Sequence, residues 1–136
     1  MAEAILQALV NREELNKWFD ISSAGTENWD IGLHPDNRSV KLLKQNNYPL
    51  DPVKRAREIS TEEIQNADYL IAMTSKIAQS LGNGDNVYLL MDFMDNPKTR
   101  DIPDPYPNDT FPEAFEMIEK GVKAFFAYLK DKNSLR

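Results

Sequence analysis

The sequence predicts an α/β fold, a three-layer sandwich of helices on both sides of a parallel sheet. Two continuous apolar runs of strand length, 69–73 and 87–91, are typical of strands that are covered on both faces. Segments with helical periodicity separate these runs, as a parallel sheet requires. The length of 136 residues suits one domain with one core. We assign 1–130 to that domain and 131–136 to a C-terminal tail.

Composition excludes several classes of function. The 16 basic and 22 acidic side chains give a formal net charge of −6 and no broad basic surface for nucleic acid. No apolar run approaches the ~20 residues of a membrane span, so no membrane partner is expected. The chain has no cysteine, which excludes disulfides, thiolate metal sites and a cysteine nucleophile within these residues. We expect no cofactor and no metal, because His34 is the single histidine.

The first third of the chain predicts two helices and one strand. Apolar residues at helical spacing predict an amphipathic helix over 2–17. An acidic residue near the start of this helix is unlike a targeting signal, so a cytoplasmic location is expected. Alternation over 19–23 predicts a short strand, followed by an ordered loop. Asp36 is the candidate N-cap of a second helix that ends near residue 46.

The rest of the chain predicts three more helices and the two apolar strands. The Ser60-Thr-Glu-Glu63 spacing indicates a capping box at the start of a short helix. A helix over 75–81 follows the first apolar strand. Apolar residues from Phe115 to Leu129 recur every three or four positions and predict a final buried helix. In the preceding loop, we expect Arg55 or Arg57 to pair with a carboxylate.

Four short segments stand in an order and spacing that together are specific, although each is a weak signal alone. They are Ser23-Ala-Gly-Thr26 with Trp29 and Gly32, Asp36-x-Arg38, Arg55-Ala-Arg57-Glu-Ile59, and Ile102-Pro-Asp-Pro-Tyr106. From Met1 to about Leu129 the chain resembles the low-molecular-weight protein-tyrosine-phosphatase family. The opening Met1-Ala-Glu-Ala-Ile5 is similar to the stretch that follows the family's phosphate-binding loop.

The resemblance implies a phosphotyrosine-phosphatase I-like fold whose first, central strand is absent from this chain. In the family that strand leads into a loop of the form Cys, five residues, Arg, and the first helix follows. This sequence starts at the helix, so we expect the strand, the nucleophilic cysteine and the loop to lie upstream of Met1 or to be absent. The family hydrolyses phosphotyrosine esters through a cysteinyl phosphate, and the chain is therefore expected to be inactive as it stands.

The resemblance also assigns roles to individual residues. Asp104 matches the general acid that protonates the departing phenolate. Trp29 and Tyr106 match the aromatic walls of the substrate pocket, and Asp30 stands where the family varies substrate preference. Ser23 matches a serine that supports the phosphate loop by hydrogen bonding. The expected substrate is a phosphotyrosine-bearing protein or a small aryl phosphate.

Other interpretations of these residues stay open. An Asp between two prolines is by itself a turn residue, and Trp29 alone could cap an edge of the core. The chain also departs from the family at Ser22, Thr74 and Pro107. A non-catalytic relative that keeps the pocket for binding or regulation is the main alternative function.

Two other families are disfavoured. The acid at the end of Leu89-Leu-Met-Asp92 resembles a receiver phosphoacceptor, but the acidic pair and the lysine of a receiver are missing. Arsenate reductases on the same fold need several cysteines.

Loss of a central strand has an expected consequence for folding. It leaves unpaired backbone groups along 19–23 and 69–73, and the stability lost rivals the ~5–15 kcal/mol of a whole domain. We therefore expect the chain alone to be unstable or to self-associate through exposed strand edges.

Overall fold

The computed structural model describes residues 1–25, 36–50, 56–82, 84–95, 97, 99–104 and 110–134. Five α-helices lie in this part of the chain: α1 Ala2–Arg12, α2 Asn37–Gln45, α3 Thr61–Asn66, α4 Ser75–Ser80 and α5 Phe111–Lys132. The strands are β1 Leu70–Ala72 and β2 Val87–Leu89, and two short 3-10 helices cover Asn16–Trp18 and Leu90–Phe93. Helix α5 thus extends two residues into the predicted tail.

The helix starts follow the capping residues. The Asp36 carboxylate accepts a hydrogen bond from the Arg38 amide at 2.9 Å, which confirms the predicted N-cap of α2. The predicted capping box is confirmed at α3, where the Ser60 hydroxyl accepts from the Glu63 amide and the Glu63 carboxylate accepts from the Ser60 amide, both at 3.1 Å. Thr74 caps α4, because its hydroxyl accepts a hydrogen bond from the Ile77 amide at 3.2 Å.

Strands β1 and β2 run parallel, with Leu70 opposite Val87 and Ala72 opposite Leu89. Successive side chains of β1 point to opposite faces of this sheet. Ile71 packs against the main apolar cluster, which contains residues of α1 and α5, whereas Ala72 packs with Ala78 of α4. The sheet therefore has helices on both faces, and the predicted α/β sandwich is confirmed.

The predicted strand over 19–23 is wrong. In the described part of the chain, the only pairing near it is one parallel bridge between Gly25 and Glu58. The Gly25 amide donates to the Arg57 carbonyl at 2.7 Å, and the Ile59 amide donates to the Gly25 carbonyl at 2.8 Å. Alternating side chains indicate which residues can be buried, but a strand also needs a neighbour that shares a ladder of hydrogen bonds.

Helix α5 contributes nine buried residues, and the predicted stripe from Phe115 to Leu129 is among them. It packs against α1, α2 and the 3-10 helix that follows β2. Gly121 allows a close approach to that 3-10 helix, because a Cβ at this position would lie 2.8 Å from Cγ of Leu90. Leu90 is 1% exposed, so its side chain is enclosed by the core.

Replacement of Gly121 by Ala tests this contact. In an unconstrained helix the change stabilises by ~1 kcal/mol, but overpacking of a core costs ~1–3 kcal/mol. We expect Gly121→Ala to lower the free energy of unfolding measured in urea. Ala127→Gly, at an exposed position of the same helix, measures the helix propensity alone. If Gly121→Ala raised the free energy of unfolding by as much as Ala127→Gly lowers it, the close contact would be contradicted.

Candidate functional site

The segment that precedes Asp104 is anchored at the carboxyl end of β1. The Ile102 amide donates to the Met73 carbonyl at 3.0 Å, and the Ile102 side chain is buried in the main cluster. Oδ1 of Asp101 accepts from both the amide and the hydroxyl of Ser75, at 2.8 and 2.9 Å. This carboxylate satisfies an amide at the start of α4 that has no partner within the helix. The backbone leading to Asp104 is therefore held at two points.

Asp104 itself is exposed and borders a cavity of about 260 Å³. The other lining residues are its neighbour Pro103 and four residues at the start of α5: Thr110, Glu113, Ala114 and Met117. The carboxyl group therefore reaches solvent beside a partly apolar surface. A carboxyl group so placed can donate a proton to a group bound at the mouth of the cavity.

Ser23 lies beside the first turn of α1. Its hydroxyl donates to Oε1 of Glu3 at 3.1 Å, so the predicted supporting serine contacts the start of the helix.

The structure adds a neighbouring ion pair, in which both guanidinium NH2 groups of Arg57 donate to the Glu63 carboxylate at 2.7 Å. The predicted pairing of a loop arginine with a carboxylate is confirmed at Arg57, and Arg55 lies outside the described residues.

The ion pair changes the protonation of both partners. Hydrogen bonds from Arg57, and then from the Ser60 amide, lower the pKa of Glu63 from its ordinary 4.5 to about 2. The same Arg57–Glu63 hydrogen bonds raise the pKa of Arg57, and the negative charge of Glu3 acts in the same direction. Arg57 is therefore held by a carboxylate and remains charged.

The structure describes only part of the predicted site. Trp29 and Asp30 fall within 26–35 and Tyr106 within 105–109, and both ranges lie outside the described residues, as does His34. Sequence reasoning missed Asp101 and Ser75. The signal that could have found them is the helix start after the 69–73 run, whose free amides need an acceptor.

Two kinds of feature are absent from the described residues. No helix in this part of the chain is long and apolar enough to cross a bilayer. No group of three or more His, Cys, Asp or Glu side chains among the same residues is arranged to hold a metal ion.

Comparison with known proteins matches residues 1–135 to the family model described as low molecular weight phosphotyrosine protein phosphatase. The chain belongs to this family. The resemblance noted in the sequence is thereby confirmed, and the chain differs from the family pattern in having no cysteine. The family match disfavours the receiver interpretation of Asp92, whose carboxylate forms a two-point ion pair with Arg100 at 3.0 Å.

Several phosphatases illustrate the similarity. Low molecular weight protein-tyrosine-phosphatase YfkJ of Bacillus subtilis is 28% identical over 141 residues, which cover 99% of this chain and 90% of YfkJ. The YfkJ crystal structure matches with a TM-score of 0.90 over 96% of this chain and 86% of that chain. A Schizosaccharomyces pombe family member is 32% identical over 78% of this chain and 71% of its own length. The Drosophila arginine phosphatase DARP matches at 28% identity with a TM-score of 0.84, over 95% of this chain and 88% of that chain.

The pKa of Glu63 generates a prediction about pH. Because the pKa is lower in the folded state, the ion pair stabilises fully above pH 4.5 and its contribution is lost as the pH falls towards 2. We expect Glu63→Gln to melt below the wild type at pH 6, and the difference in Tm to shrink as the pH falls through that interval. Glu62→Gln, at the exposed neighbour, is the matched control. A Tm difference that is unchanged between pH 6 and pH 2.5 would refute this account of the pair.

Proposed function

We propose that this chain is the leaving-group side of a phosphotyrosine phosphatase and that residues 1–136 alone do not hydrolyse phosphate monoesters. The proposal rests on one observation: the chain belongs to the phosphatase family but contains no cysteine. Formation of a phosphorylated cysteine needs a thiolate nucleophile, and no other residue type supplies that chemistry.

The arginines support the second part of the proposal. A phosphoryl group is held best by a guanidinium that offers two parallel N–H donors. Within the described ranges, every arginine is already engaged by another group of the protein. The pairs are Arg12 with the Asn47 carbonyl, Arg38 with Asp36, Arg57 with Glu63 and Arg100 with Asp92. We therefore expect weak binding of phosphate by these residues.

In this proposal Asp104 is the general acid, and its anchored segment and adjacent cavity support that role. Trp29 and Tyr106 are the proposed walls of the substrate pocket, Asp30 contributes to substrate preference, and Ser23 supports the start of α1. The proposed partner is a phosphotyrosine-bearing protein or a small aryl phosphate in the cytoplasm.

A second candidate function is a non-catalytic module that binds aryl phosphates. The cavity beside Asp104, in a chain without the nucleophile, favours it. The two candidates make different predictions about the codons upstream of Met1. The first candidate expects these codons to encode an apolar strand and a loop of the form Cys, five residues, Arg, whereas the second does not.

Hydrolysis of p-nitrophenyl phosphate tests the proposal. We expect no turnover by the 136-residue chain above the rate in buffer, because no thiolate is present. Asp104→Asn is the control for contaminating phosphatases, since their turnover does not depend on this residue. Turnover by the chain that falls in Asp104→Asn would show that these residues catalyse hydrolysis without cysteine and would overturn the proposal.

The two candidate functions separate in a titration with phenyl phosphate. Chemical-shift changes in the chain that saturate in the millimolar range, at residues lining the cavity beside Asp104, support the binding module. If no chemical-shift changes occur at 10 mM phenyl phosphate, a concentration on the order of the weakest affinity of interest, the binding module is ruled out.

A further inference from the structure

The end of α2 and the residues that follow it border a second cavity, with a volume of about 390 Å³. The lining residues are Val40, Lys44, Asn47, Tyr48, Pro49 and Leu50. None of these six residues also lines the cavity beside Asp104. The volume lies in the ~300–1,000 Å³ range of small-molecule sites. This second cavity is referred to below as the α2 cavity.

The backbone groups at this end of α2 are already hydrogen-bonded. The Tyr48 amide donates to the Leu43 carbonyl at 2.8 Å, and the Asn47 amide donates to the Lys44 carbonyl at 3.2 Å. The Asn47 carbonyl accepts a hydrogen bond from Nη2 of Arg12 at 2.6 Å. Free carbonyl groups at a helix end would repel an anion, but these carbonyls are engaged. What the α2 cavity offers to a ligand is therefore its side chains.

The side chains of the α2 cavity are of two kinds. Val40, Pro49 and Leu50 supply apolar surface. Lys44 and Asn47 supply an ammonium and an amide group, and both residues are exposed. Within the described ranges, neither of these two polar side chains has a hydrogen-bond or ion-pair partner. The α2 cavity thus combines an apolar wall with two donor groups that a ligand can reach.

The charge around the α2 cavity is positive, although the chain as a whole is acidic. The Arg12 guanidinium lies 5.1 Å from the centre of the Tyr48 ring. The Tyr48 hydroxyl contacts the carboxylate of Glu119, and Lys123 balances the charge of that carboxylate at 3.8 Å. In the sequence, residues 37–57 include six basic residues and one acidic residue, whereas the net charge of the chain is −6. A positive region in an acidic protein attracts anions to that region.

We propose that the α2 cavity binds a small organic anion, a carboxylate on a compact apolar body. One ammonium group and one amide match the two oxygens of a singly charged carboxylate, with Lys44 as the ion-pair partner and Asn47 as the second donor. The apolar body packs on Val40 and Leu50. A phosphate monoester is held best by a guanidinium, and none of the six lining residues is an arginine. The proposal uses no residue assigned to phosphate hydrolysis, so it is independent of the proposed function.

The test is an NMR titration of the 136-residue chain with para-isopropylbenzoate and, separately, with the uncharged para-isopropylbenzamide. We expect the carboxylate to cause saturable shift changes centred on residues 40–50 and to raise the Tm of the chain. The uncharged compound has a similar shape but cannot pair with Lys44. We therefore expect it to bind at least about fivefold more weakly.

Two variants separate the contribution of the charge from that of the amide. Lys44→Met keeps an apolar stem but removes the ammonium group, and we expect it to weaken carboxylate binding at least about fivefold. Lys41→Met removes an exposed lysine of the same helix that does not line the cavity, so it is the matched control and should leave binding unchanged. Asn47→Gly removes the side-chain amide at a φ of 63°, which glycine adopts without strain, and should weaken binding ~2–10-fold.

Four results would overturn the proposal. The first is the absence of shift changes at 10 mM carboxylate, on the order of the weakest binding that a specific site would show. The second is equal binding of the carboxylate and the uncharged compound. The third is equal weakening by Lys44→Met and Lys41→Met, which would indicate an effect of net charge alone. The fourth is a set of shift changes confined to the cavity beside Asp104. Because the probe carries no phosphate, none of these results depends on the hydrolysis assay.

Discussion

The parallel hydrogen bonding of β1 to β2 is the constraint on which the candidate site depends. It fixes the direction of β1, so that the carboxyl end of this strand meets the loop that carries Asp104. It also fixes which backbone groups of β1 face β2 and which face away from it. The bond from Ile102 to Met73 and the bonds from Ser75 to Asp101 then hold the loop at that end.

Helices compensate for the small size of the described sheet. A two-stranded sheet is only marginally stable without a packed face, and β1 and β2 obtain one from α5 on one side and α4 on the other. Helix α5 packs closely enough on Leu90 to require glycine at position 121. Helix packing on both faces thus supports the strand pairing that positions the candidate site.

Local signals in the sequence predicted much of this fold. The caps at Asp36 and Ser60 and the stripe of α5 were predictable, because each depends on residues close together in the chain. The strand at 19–23 was not, since pairing depends on a neighbour that is distant in sequence. The contact of Asp101 with Ser75 spans 26 positions, so the helix start at Ser75 indicates that an acceptor is needed but not which residue supplies it. The roles of Asp104, Trp29, Asp30 and Tyr106 came from family resemblance and remain predictions.

The one-sided pairing of β1 with β2 is tested most directly by amide hydrogen exchange in the 136-residue chain. The amides of Ile71 and Ala72 are adjacent in one short strand, so differences in overall stability affect both alike. Since the Leu70 amide donates to the Asn86 carbonyl, the Ala72 amide also faces β2 and is expected to exchange slowly. The Ile71 amide faces away from β2 and is expected to exchange much faster. Equal protection of the two amides would show that both edges of β1 are paired and would contradict this account.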